Sequence, residues 1–131
     1  MTDGATTILL VEDEILLCWI LEEMLDESGY DVTLATTGAD GLAAIEAPRH
    51  FDLLITNIRL KDGPDGWSLA QRARELDPQI GVLFVSGDSA HEHADKGVPG
   101  SKMLSKPFEA RDIETAIAGL LENPLRESRP G

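Results

Sequence analysis

The chain has 131 residues, enough for one ordinary domain with a buried core. Apolar residues make up 42% of it and charged residues 27%, a globular rather than a disordered balance. Its 24 acids against 11 lysines and arginines give a formal charge of −13, which repels nucleic-acid phosphates and anionic membranes and suits protein partners or a divalent cation.

Short apolar runs alternate with longer amphipathic ones. Ile8-Leu9-Leu10-Val11 is apolar without a break and ends in acids, the pattern of a strand buried on both faces. Glu14 to Ser28 is a predicted helix, with Leu17, Ile20, Leu21, Met24 and Leu25 at helical spacing and Gly29 as its stop. Val32 to Ala35 is a second strand, and Gly38 to Glu46 a second helix halted before Pro48. Leu53 to Thr56 is a third strand, followed by the turn-forming stretch Lys61 to Gly66 and a helix over Trp67 to Leu76. Val82 to Val85 is a fourth strand. Ser89 to Lys96 reads as a short helix, weakened by Gly97, Pro99 and Gly100. Met103-Leu104 marks a fifth strand, and Glu109 to Glu122 a last helix with Ile113, Ile117, Leu120 and Leu121 on one face.

Five β–α units imply a parallel sheet covered by helices on both faces, in one α/β domain over residues 8–122. Residues 1–7 form a polar N-terminal extension and 123–131 a flexible tail. Cys18, the single cysteine, has no internal disulfide partner and lies in an apolar run, so it is expected as a small buried hydrophobe. No signal peptide and no bilayer-length apolar stretch stand out, so the expected location is cytoplasmic. Trp19 and Trp67 are expected in the core, and His91 and His93 in solvent.

In such sheets ligands bind beyond the carboxyl ends of the strands. Those ends carry Glu12 and Asp13 after the first strand, Asn57 after the third, Ser86 and Gly87 after the fourth, and Lys106-Pro107-Phe108 after the fifth. Parallel strands bring two acids, an amide, a hydroxyl and an ammonium to one cleft. The acids could also serve merely as favourable charges at a helix N-terminus.

The stretches Leu10 to Glu14, Phe51 to Asn57, Val85 to Gly87 and Ser105 to Phe108 together resemble the bacterial response-regulator receiver family over about residues 8 to 121. The resemblance implies a flavodoxin-like (βα)5 doubly wound sheet with strand order 2-1-3-4-5. It implies a role in two-component phosphorelay signalling, with a histidine kinase or phosphotransfer protein as phosphodonor. It also implies Mg²⁺, held by Glu12, Asp13, the residue at position 57 and the Arg59 carbonyl. Ser86 would be the switch hydroxyl, Lys106 the phosphate contact, and Met103 would stand where the family's mobile aromatic sits. A cis peptide before Pro107 is expected on the same ground.

The position of the phosphate-accepting aspartate is Asn57, whose nitrogen lone pair is delocalised into the carbonyl and is no nucleophile toward phosphorus. Such a chain is either a naturally non-accepting receiver or an Asp-to-Asn variant of an accepting one, and its Mg²⁺ affinity is expected to be weakened. Asp52, Asp62 and Asp65 are not expected to substitute. Lys61 replaces the usual proline four residues after the acceptor, and the loop to Gly66 is one residue longer than the family's pattern. No attached output domain is expected after Glu122. Output would come through docking of a downstream protein on the fourth helix, fifth strand and fifth helix, a face that could also form a homodimer. An enzyme is not expected. The alternatives on the same sheet, a small phosphatase or hydrolase or a mononucleotide binder, lack a nucleophile at the third strand's end and a glycine-rich phosphate loop after the first.

Overall fold

A computed structural model of the chain describes residues 5–88 and 90–122, Ala90 by its backbone alone. Residues 1–4 of the expected extension, the expected flexible tail over 123–131 and Ser89 of the predicted fourth helix lie outside the described residues. The elements are β1 (Thr7–Val11), α1 (Ile15–Glu27), β2 (Asp31–Ala35), α2 (Gly38–Glu46), β3 (Leu53–Asn57), α3 (Gly66–Leu76), β4 (Gly81–Ser86), a 3₁₀ turn (Ala90–Glu92) leading into α4 (His93–Lys96), β5 (Lys102–Ser105) and α5 (Ala110–Leu121). The strands are parallel throughout and ordered 2-1-3-4-5, as the resemblance implied.

The unbroken apolar runs are strands sandwiched between two helical layers. On one face Leu9, Val11, Leu54, Val82 and Phe84 pack under α2 and α3 with Trp67, Leu69, Ala70 and Ala73. On the other, Ile8, Leu10, Leu53, Ile55, Leu83 and Val85 pack under α1 and α5 with Leu21, Leu25, Ile113 and Ile117. Each such side chain withdrawn from water stabilises the fold by roughly 1.5–3 kcal/mol before chain entropy is subtracted. Helix ends follow local chemistry. Thr37 accepts the Asp40 N–H at 3.0 Å, Asp65 accepts the Ser68 N–H at 2.9 Å, and Glu109 and Asp112 form a reciprocal capping box. Gly29, at φ +91°, ends α1, where the Tyr30 N–H returns to the Leu25 carbonyl at 3.1 Å.

Two expectations about packing fail. Trp19 is 66% exposed and Ile20 58%, beside Ile15 at 70% and Leu16 at 67%, so one side of the first two turns of α1 is apolar and faces solvent. The helix is apolar all round from Ile15 to Leu21, and the sheet can take only the side bearing Cys18, Leu21 and Leu25. His93 is not simply solvated. Its ring stacks on Trp67 and meets Phe84 edge-on, with centroids 6.5 and 5.8 Å away, and its Nε2 lies 2.8 Å from the Ser101 hydroxyl. Trp67 is buried as expected, 4.7 Å from Phe84 between centroids, and Cys18 is buried with its thiol donating to the Glu12 carbonyl at 2.9 Å.

Candidate functional site at the carboxyl edge of the sheet

β1 and β3 are neighbours at the centre of the sheet, paired Val11 to Thr56. The residues that follow, Glu12 and Asn57, therefore meet. β4 adds Ser86 next to them, since Asn57 pairs with Val85, and β5 adds Lys106 just past the Ser86–Ser105 pair. The Lys106 N–H donates to the Ser86 carbonyl at 2.8 Å, and the Lys106–Pro107 peptide is cis, as expected. Gly66 lets the chain return close to the site. Its N–H donates to the Ile58 carbonyl at 2.7 Å, and a Cβ there would collide with the Asn57 carbonyl.

Glu12 is fully buried, with one carboxylate oxygen facing the Lys106 ammonium at 3.5 Å and the other accepting the Glu14 N–H at 3.0 Å. Burial holds the Glu12 carboxyl above its ordinary pKa and Asp13 pushes it the same way, against the Glu14 N–H and Lys106. Lys106 also reaches Glu14 at 3.6 Å. The sequence had placed Lys106 against Glu12 and Asp13. Asp13 instead accepts the Lys61 N–H at 3.1 Å, which ties the loop after β3 to the acid pair. The Glu14 and Lys61 contacts had no signal in the sequence, because one needs the turn of a helix start and the other the path of an irregular loop.

Asn57 is held by three contacts. Its Nδ2 donates to the Arg59 carbonyl at 3.1 Å and to Glu12 at 3.4 Å, and its Oδ1 accepts the Ile58 N–H at 3.1 Å. Ser86 is buried and its hydroxyl accepts the Asp88 N–H at 3.2 Å; Asp88 in turn pairs with Arg59 at 3.2 Å. Met103 lies opposite Phe84 on the neighbouring strand and packs against the Trp67–Phe84 cluster, part-buried, rather than in the polar cleft. None of the other acids is brought in. Asp65 caps α3. Asp62 lends its carbonyl to the Ala39 N–H at 2.7 Å, at the start of α2. Asp52 sits at the opposite end of β3, where it accepts from the Thr7 N–H and hydroxyl at 2.9 and 3.2 Å. Among the described residues no helix is long and apolar enough to cross a membrane.

The sequence matches the response regulator receiver domain family over residues 8–118. The response regulator receiver protein CpdR of Brucella abortus (strain 2308) is 36% identical over 116 residues, which are 87% of this chain and 95% of that protein. The crystal structure of a response regulator receiver protein from Sinorhizobium medicae WSM419 superposes with a TM-score of 0.88 at 38% identity, covering 92% of this chain and 97% of that one. The transcriptional regulatory protein CssR of Bacillus subtilis (strain 168) is 32% identical over 126 residues, 95% of this chain but 55% of the longer relative, so the chain spans about half its length. Receiver domains are two-component signalling modules. The receiver domain of the sensor histidine kinase PA1611 from Pseudomonas aeruginosa PAO1, with a magnesium ion coordinated in its own active-site cleft, shares the fold with a TM-score of 0.78 at 22% identity, covering 90% of this chain and 98% of that one. A sheet ordered 2-1-3-4-5, with acids, Ser86 and Lys106 gathered at the carboxyl ends of its strands, agrees with that match: the chain belongs to the response regulator receiver domain family.

Proposed function

We propose that this receiver signals by docking and not by accepting a phosphoryl group. The observation that carries the reading is Asn57, a neutral amide at the end of β3 in contact with Glu12, where the family's chemistry needs a carboxylate. A phosphoaspartate forms when a carboxylate oxygen attacks phosphorus. An amide nitrogen has no free electron pair for that attack, and its oxygen is committed to the Ile58 N–H. In this reading Lys106 is the phosphate-contact position and Ser86 the switch hydroxyl, with Met103 behind them. Glu12, Asp13, position 57 and the Arg59 carbonyl are the metal positions, with Mg²⁺ affinity lowered because Asn57 supplies no charge. Catalytic turnover is not part of this role, and a cytoplasmic setting suits it.

The docking surface for the histidine kinase or phosphotransfer partner is the solvent face of α1. Ile15, Leu16, Trp19 and Ile20 form an apolar patch beginning next to Glu14, so a partner seated there overhangs the cleft. α1 carries Glu22, Glu23, Asp26 and Glu27 and no basic residue, which suits a helical partner with an apolar face flanked by lysine or arginine. A second face is favoured by a groove of 440 Å³ lined by Lys102, Met103, Leu104, Arg111 and Thr115 between β5 and α5. It is the place for a downstream protein target, with a second copy of the chain as the competing occupant.

The test is incubation with Mg²⁺ and acetyl phosphate, read by intact mass, for this chain and Asn57→Asp. The expected result is a phosphoryl adduct on the aspartate variant alone. An adduct on the unaltered chain overturns the proposal.

A further inference from the structure

We propose that the Asn57 amide nitrogen stands in for the divalent cation, so that the cleft is complete without metal and indifferent to Mg²⁺. The proposal rests on the cleft being the receiver cation site, as read above. Mg²⁺ demands oxygen ligands in near-octahedral array at about 2.0–2.1 Å. Three of the oxygens on offer, one each from Glu12, Asp13 and the Arg59 carbonyl, already accept hydrogens. The two N–H bonds of Asn57 Nδ2 point to Glu12 and to the Arg59 carbonyl, the acid and the backbone group that would hold the ion. The remaining acid, Asp13, accepts the Lys61 N–H. Among the described residues no group of three or more His, Cys, Asp or Glu side chains is disposed to hold a metal.

The amide's orientation is fixed by its neighbours. With oxygen toward Ile58 and nitrogen toward Glu12 and Arg59, every contact pairs a donor with an acceptor. Turning the amide over would set oxygen against a carboxylate and a carbonyl, and nitrogen against an N–H. A cation entering beside Glu12 would have to break two hydrogen bonds and then face an amino group that repels it. Charge points the same way. Lys106 already faces two carboxylates in the cleft, Glu12 at 3.5 Å and Glu14 at 3.6 Å. A third acid at position 57 would leave three carboxylates around that lysine, a state that a divalent ion relieves and an amide avoids.

The experiment melts the unaltered chain, Asn57→Asp and Asn57→Ala in EDTA and in millimolar MgCl₂. It also follows the Asn57 side-chain amide resonances of the unaltered chain during the Mg²⁺ titration. The unaltered chain is expected to melt at one temperature in both solutions, with those resonances unmoved. Asn57→Asp should melt several degrees lower in EDTA and recover with Mg²⁺. Asn57→Ala, which loses the strut without adding charge, should melt lower in EDTA. A Mg²⁺ response in the unaltered chain equal to that of Asn57→Asp, or an Asn57→Ala chain melting unchanged in EDTA, overturns the proposal alone. An Asn57→Asp chain silent to Mg²⁺ overturns the underlying reading of the cleft and the proposal with it.

Discussion

β3 sends a side chain across to β1 at each of its ends, and the two contacts are chemical opposites. At the amino end Asp52 reaches over to Thr7 and accepts its N–H and hydroxyl, while His50 comes to 3.0 Å from the other oxygen. At the carboxyl end Asn57 reaches over to Glu12 and donates. A carboxylate is stable where backbone N–H groups and a histidine converge on it. Where buried Glu12 and half-buried Asp13 already crowd the strand ends, a donor fits and another acid would need a counter-ion. Asp52, at the far end of a five-residue strand roughly 16 Å long, is therefore no substitute acceptor despite its chemistry.

The largest effect belongs to neither end. Ile55, fully buried midway along β3, holds both contacts in place. Ile55→Ala should cost about 2–5 kcal/mol in urea unfolding by loss of burial and an unfilled cavity. An Ile55→Ala cost below that of either end contact would mean that the strand ends, not the core, fix the β1–β3 pair. Next comes Asp52→Ala, which removes the acceptor of the half-buried Thr7 N–H while the Thr7 hydroxyl keeps the His50 carbonyl, and should cost about 1 kcal/mol; a cost near zero would show that water replaces the carboxylate freely.

Smaller in size but opposite in sign is Glu12→Gln. Because the Glu12 pKa is raised in the folded protein, its contribution to stability is fully present below the ordinary glutamate value and is lost as pH rises through the raised one. Glu12→Gln should remove that loss, flatten the stability profile above mildly acid pH and leave the chain more stable than the parent at neutral pH. A parent profile that climbs over that pH range contradicts the assignment. The smallest change is Trp19→Ala, expected within about 0.5 kcal/mol of the parent because the ring is exposed. It should still weaken binding to a partner seated on α1, checked by titration calorimetry against the cognate phosphotransfer protein.

The strands were legible because a doubly covered parallel sheet writes continuous apolar runs, such as Val82 to Val85, into the sequence, while their order was implied only by the resemblance to the receiver family. The cleft was legible for the same reason: the residue after each run must lie at the carboxyl edge, and Glu12, Asn57, Ser86 and Lys106 do. What escaped depends on neighbours that no local pattern encodes. The outward side of α1 was read as core because Ile15 to Leu21 is apolar in every direction, and only the position of the sheet decides which side is covered. His93 was assigned to solvent because its ring partners Trp67 and Phe84 come from α3 and β4. Glu14 as a second partner of Lys106 follows from the direction in which the first turn of α1 aims its side chains.

The most direct test of the central claim, that position 57 offers no oxygen able to bond to phosphorus, is ¹⁹F NMR with beryllium fluoride, which completes its tetrahedron on a carboxylate oxygen as a phosphoryl group does. In the presence of Mg²⁺, Asn57→Asp is expected to give protein-bound fluorine resonances and the unaltered chain only those of free beryllofluoride. Bound resonances on the unaltered chain, lost when Lys106 is replaced by alanine, would contradict the account.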